Sequence, residues 1–122
     1  MLVITGRIPS KKNSKVMSCR GDKPRLFPSA KFKRWHADAM KQLMVQRAKK
    51  GIDKCKIELT FFAPDKRIAD LTNKAESVMD LLVDDGIITN DSWFMVSEIM
   101  LRFGGVDKES PRVIVHVIED MV

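Results

Sequence analysis

A change of hydrophobic period in mid-sequence constrains this chain more than any other feature. Residues 54–62, KCKIELTFF, alternate Cys55, Ile57, Leu59 and Phe61 against Lys56, Glu58, Thr60 and Phe62, the two-residue repeat of a half-buried strand. Ala63 and Pro64 end that run, and a charged segment, Asp65-Lys66-Arg67, delivers the chain to Asp70. Leu71, Ala75, Val78, Met79, Leu82 and Val83 then recur at helical spacing, with Asp70 placed as N-cap and Gly86 as a stop. A strand feeding a helix this directly puts Asp70 at a junction on the rim of a sheet.

The flanking segments extend the pattern. Residues 2–5 read as a short strand ended by Gly6, with Pro9 barring pairing beyond it. Ser29 is a good N-cap for a helix over AKFKRWHADAMKQLMVQRAKK, with Phe32, Trp35, Ala39 and Leu43 facing the core and Gly51 at its end. His36, beside Trp35, reads as a surface or interface histidine. Two strands close the chain, residues 93–103 and 112–119, joined by a turn from Gly104-Gly105 to Pro111. The last alternates Val113, Val115 and Val117 with Ile114, His116 and Ile118, apolar on both faces as in a central strand or a subunit interface. The order β-α-β-α-β-β predicts an α/β (α+β) fold: a single mixed β-sheet with two helices, one domain over residues 1–122, and a basic loop at about residues 9–27.

Composition narrows the function classes. No run approaches the ~18 apolar residues of a membrane span, and the opening MLVIT is too short for a signal sequence, so a cytoplasmic protein is expected. Cys19 and Cys55 lack metal or redox spacing, which argues for reduced thiols and against zinc. The formal charge of +6 is unevenly spread: residues 1–50 carry 14 Lys or Arg against Asp22 and Asp38, a net of +12, whereas residues 51–122 carry 8 against 14 acids, a net of −6. A basic half suits a phosphate backbone, whose neutralisation releases counterions and gives sequence-independent affinity. Lys11, Lys12, Asn13, Lys15, Arg20, Lys23 and Arg25 make the residue 9–27 segment a candidate DNA-contacting arm, with Lys66 and Arg67 adding to it.

The acidic half asks for another use. Residues 65–91 hold seven acids, Asp65, Asp70, Glu76, Asp80, Asp84, Asp85 and Asp91. By residue type alone, Asp70 serves as a cap, Glu76 and Asp80 as a solvated helix flank and Asp91 as a turn residue. The alternative is that some of them hold a divalent cation beside the bound backbone, since Mg²⁺ takes a few carboxylate oxygens and keeps several waters. Asp70 and Asp91 meet only if the chain after Gly86 folds back toward the helix start.

Three short motifs, in order, carry a family resemblance. They are Gly6-Arg7-Ile8-Pro9-Ser10-Lys11-Lys12-Asn13-Ser14 after the first strand, Asp70-Leu71-Thr72-Asn73 at the start of the second helix, and Asn90-Asp91 ahead of the next strand. In order, spacing and chain length this resembles the RusA-type Holliday junction resolvases, marked by Asp-x-Asp-Asn and a later Asp-Asp pair. The resemblance implies a Mg²⁺-dependent (or Mn²⁺-dependent) endonuclease acting on four-way junction DNA, a homodimer, and a bacterial or phage origin. It assigns Asp70 and Asp91 as metal ligands, with Asn73 orienting Asp70 or a bound water. The chain departs from the pattern twice: Thr72 stands where a second aspartate is expected, and Glu76 where a catalytic lysine is expected. An exchange is the expectation, with Glu76 supplying the missing carboxylate and Lys74, or Lys66, the missing cation. A junction-binding dimer of the same fold that does not cut is the alternative. A basic scaffold that binds RNA or an acidic partner is a third.

Overall fold

The computed structural model describes residues 1–10, 15–20 and 23–120, with backbone alone for 15–20 and 23–28. Its main sheet has four strands in the order β1-β6-β4-β5: β1 (Leu2–Thr5), β4 (Cys55–Ala63), β5 (Val96–Val106) and β6 (Arg112–Glu119). β6 runs antiparallel to both β1 and β4, whereas β4 and β5 are parallel and joined by helix α2 (Leu71–Asp84). The sheet is therefore mixed, and α2 with helix α1 (Ala30–Val45) packs on one of its faces.

The period-2 run does what its pattern requires. Cys55, Ile57, Leu59 and Phe61 are buried toward the helices and Lys56 lies exposed on the other face. Beneath them sit Phe32, Trp35, Ala39 and Leu43 of α1 and Ala75, Val78, Met79, Leu81 and Leu82 of α2, in one hydrophobic cluster. β6 is an interior strand: Val113 and Val115 are fully buried, while His116 and Ile118 on its opposite face are exposed. No helix among the described residues is long and apolar enough to cross a membrane.

The structure differs from the sequence expectation at the basic segment, at both ends of β5 and at the end of α1. The basic segment is not simply a loop: β2 (Lys15–Arg20) and β3 (Lys23–Pro28) pair antiparallel as a separate hairpin. The pair between them, Gly21-Asp22, has the composition of a two-residue hairpin connection, a signal obscured by Pro24 and by the density of charge. Lys15, Arg20, Lys23 and Arg25 thus stand on paired strands, while Lys11, Lys12 and Asn13 lie outside the described residues. β5 begins at Val96 rather than Trp93, and it runs through Gly104 and Gly105 instead of turning there. The Phe62 ring packs over Gly104, where an added Cβ would sit 2.6 Å from it, and Arg112 covers that ring at 3.9 Å from its centroid. Gly104 thus marks a close cross-strand approach, and Gly105 is required by its positive φ of 128.

α1 stops well short of Gly51. Its C-cap is Gln46, and Arg47 takes the left-handed conformation at φ 54. Gln46 and Gln42 have another task. The Val3 N–H donates to Gln46 Oε1 at 2.8 Å and Gln46 Nε2 donates to the Val3 carbonyl at 2.7 Å; Gln42 does the same for Thr5, at 2.8 and 3.1 Å. Two side-chain amides thus occupy the free edge of β1 as a further strand would.

Candidate active site

The loop from β4 to α2 is anchored by its own charges. The Arg67 backbone N–H donates to Asp65 Oδ1 at 3.0 Å, its guanidinium donates to Oδ2 at 3.0 and 2.8 Å, and Arg7 adds a contact at 3.3 Å. The Arg67 hydrogen bonds hold the Asp65 carboxyl below the usual carboxylate range. With that turn fixed, Ile68, Ala69 and Asp70 project into solvent, Ile68 completely.

Asp70 occupies the N-cap position of α2 with φ −84 and ψ 128, yet its side chain makes no capping hydrogen bond. The carboxylate accepts instead from the Asn73 side-chain amide at 3.3 Å. The capping role expected from the sequence is therefore not carried by the side chain, whose described partner is Asn73. Nearby, Lys74 Nζ donates to the Ile8 carbonyl at 2.6 Å and Ser77 Oγ to the Pro9 carbonyl at 2.6 Å, so α2 grips the segment that follows β1. Burial pushes the Lys74 ammonium pKa down, and the positive charges of Arg7 and Lys31 push the same way, with Asp65 opposing. A cleft of about 750 Å³ opens here, with Asp70, Asn73 and Lys74 on one wall and Arg7, Lys66 and Arg67 around it.

A second groove, of about 510 Å³, runs between α2 and β5 and contains Thr72, Glu76, Asp80 and Asp91 over Ile99 and Leu101. Asp91 reaches it because the chain turns back after Gly86: Ile88 bridges to Ile52, and the Thr89 N–H donates to the Ile52 carbonyl at 3.2 Å. Asn90 then makes the turn, its Oδ1 accepting the Ser92 N–H at 3.0 Å. The turn chemistry expected of Asp91 is thus supplied by its neighbour, and the Asp91 carboxylate is exposed.

The predicted site residues fall into two adjoining groups. Thr72, Glu76 and Asp91 share the groove; Asp70, Asn73, Lys74, Lys66 and Arg67 share the cleft, and the two openings have no lining residue in common. Among the described residues, no three His, Cys, Asp or Glu side chains form a metal-holding group. The proposed donor set is nonetheless all oxygen, with Glu76 and Asp91, two of its three carboxylates, in one groove, which fits a hard cation that keeps most of its waters and completes its shell with a substrate phosphate. Arg7 was missed as a site residue, although it stands inside the first motif; its tie to Asp65 spans 58 residues of sequence and leaves no local signal. Compared with protein-family models and with curated proteins, the chain matches none.

Proposed function

We propose that this chain is a Mg²⁺-dependent, structure-selective DNA endonuclease of the RusA type, resolving Holliday junctions by paired phosphodiester hydrolysis in recombination and repair. What carries the reading is Asp70: a carboxylate at a helix start that forgoes capping, is steadied by Asn73, and stands in an open cleft beside a desolvated lysine. A residue kept only for stability would use its side chain on the helix N–H groups.

Asp70, Asp91 and Glu76 are the groups that would hold the ion, with Mn²⁺ as a substitute. When bound, it supplies an activated water and neutralises charge on the phosphate. The chain's own residues do the rest. Arg7, Lys66 and Arg67 draw the backbone into the cleft, and Lys74, held against the Ile8 carbonyl, presents a poorly solvated positive charge to the scissile phosphate. Thr72, exposed in the groove, can orient a water without adding charge. A homodimer matches a two-fold junction with two symmetric nicks. The β2–β3 hairpin adds Lys15, Arg20, Lys23 and Arg25 to the DNA-binding surface.

Scission of an end-labelled four-way junction, with and without Mg²⁺, tests the reading. Asp70→Asn and Glu76→Ala should each abolish cleavage; near-normal cutting by the Glu76 variant would refute the exchange of Glu76 and Lys74 for the family's aspartate and lysine. One observation favours the alternative, a junction-binding dimer that does not cut: the three candidate carboxylates divide between two openings, Asp70 in the cleft and Glu76 and Asp91 in the groove with the uncharged Thr72. Tight junction binding without scission in either metal would decide for it.

A further inference from the structure

We propose that the cleft beside Asp70 is a nucleobase pocket that receives one unstacked base from the branch point, with Phe103 as its stacking face and Ile68 as the wedge that opens the stack. The inference rests on the endonuclease reading and adds to it how a branch is told from a duplex.

The chemistry of the cleft is divided. Its mouth is cationic, from Arg7, Lys66, Arg67 and Lys74, and its walls are apolar, including Phe103 and Val106 of β5. Cationic rim and aromatic wall are the two requirements for holding single-stranded nucleic acid: the charges follow the backbone and the ring takes a base face. Asp65, paired with Arg67 and Arg7, and Asp70 line the same cleft and offset two of those four charges, which leaves the mouth net positive. A cleft of about 750 Å³ has room for a nucleotide.

Of the three phenylalanines on its walls, one has a free face. Phe61 is buried in the core, and Phe62 is pressed on Gly104 with Arg112 over its ring. Phe103 is 56% exposed, and the strand continues from it into Gly104 and Gly105, which carry no side chain to cover it. Ile68 is 100% exposed, directly after Lys66 and Arg67 and two residues before Asp70. The Asp65–Arg67 turn holds it out. Apolar side chains so presented, flanked by phosphate-binding cations, insert between base steps and unstack them. A branch point, where stacking is already interrupted, yields a base at less cost than a continuous duplex.

The test uses the full chain without divalent ion and two probes: a four-way junction with 2-aminopurine at a branch nucleotide, and a ten-nucleotide single strand containing 2-aminopurine. The expected result is a rise in fluorescence at the branch position, none when the label sits in an arm, and loss of the rise in Ile68→Ser. Phe103→Ala should weaken the single strand roughly tenfold, the value of one stacked base, and Phe103→Trp should restore it. Unchanged thermal melting would show that the exposed positions alter binding and not folding. A junction bound with branch selectivity, and cleaved once Mg²⁺ is added, but with a silent label would overturn the pocket while leaving the endonuclease reading intact. A single strand that responds to Phe103, with no preference for junction over duplex, would keep the pocket and end the endonuclease reading. Loss of self-association in Phe103→Ala, with the nucleotide response unaltered, would assign the surface to a second copy of the chain and overturn the proposal.

Discussion

The two ends of α2 are built on opposite terms. At its C-terminus the apolar side chains are committed to packing and the backbone to closing the helix, while Asp84 stays exposed and pairs with His36. The Ile87 N–H donates to the Leu82 carbonyl and the Gly86 N–H to that of Val83, both at 3.0 Å, which closes the helix with Gly86 in the left-handed region at φ 80. Leu82 and Ile87, which such a closure brings together, are 0 and 1% exposed. At the N-terminus the first turn contains no acid, Asp70 withholds its side chain from the helix, and residues 66–70 are exposed. One end of the element fixes its position, and the other is left chemically unspent. A carboxylate that satisfies a helix terminus is less available to a cation, so the difference is what a rim active site requires.

The comparison breaks first if the C-terminal end is not the anchor. Leu82→Ala should cost about 2–5 kcal/mol of stability, because the site is fully enclosed and surrounded by side chains of the cluster that cannot all collapse inward. Chemical denaturation measures it, and a loss under about 1 kcal/mol would show that the helix is held elsewhere. At the other end, Asp70→Asn should lower Mg²⁺-dependent junction cleavage at least roughly a hundredfold. The same change should leave the melting temperature nearly unmoved, since there is no capping bond to lose. A clear drop in melting temperature would return Asp70 to the ordinary role of a cap.

How far the sequence foretold this depends on where the deciding interactions lie. The central strand and both helices are local patterns, and residues 54–62 and 71–83 carry their periods whatever surrounds them. The hairpin, the start of β5 and the strand through Gly104 are settled by pairing or by a distant ring, so local reading turned a glycine pair into a turn. The site divides in the same way. Asp70 and Asn73 are legible because they adjoin the helix they begin. Glu76 parts from Asp70 because the two lie on different faces of the start of α2, whereas the arrival of Asp91 beside Glu76 follows from the path after Gly86, fixed by Ile52 meeting Ile87 and Ile88, which no spacing announces.

Smaller changes sharpen the contrast. Gly86→Ala should destabilise the fold by about 1 kcal/mol: open space surrounds its Cβ position, so the cost is the left-handed backbone and not a clash. A neutral result would mean that the end of α2 relaxes into another closure.

The finest test concerns Lys74, where the two ends differ in electrostatics. Burial, with Arg7 and Lys31, lowers its folded-state pKa below the ordinary lysine value of 10.5. Between that lowered pKa and 10.5 the unfolded chain holds a proton that the folded chain has released, so stability contributed by this group rises with pH through that window. The cost of burying the ammonium is correspondingly full below it. Lys74→Met removes the group and its bond to the Ile8 carbonyl together. The stability difference, wild type minus variant, should therefore grow toward alkaline pH, and taking that difference cancels the titration of the other lysines. A difference that stays flat would show that Lys74 is solvated in the folded chain, and the poorly hydrated positive charge assigned to the scissile phosphate would have to come from Lys66 or Arg7 instead.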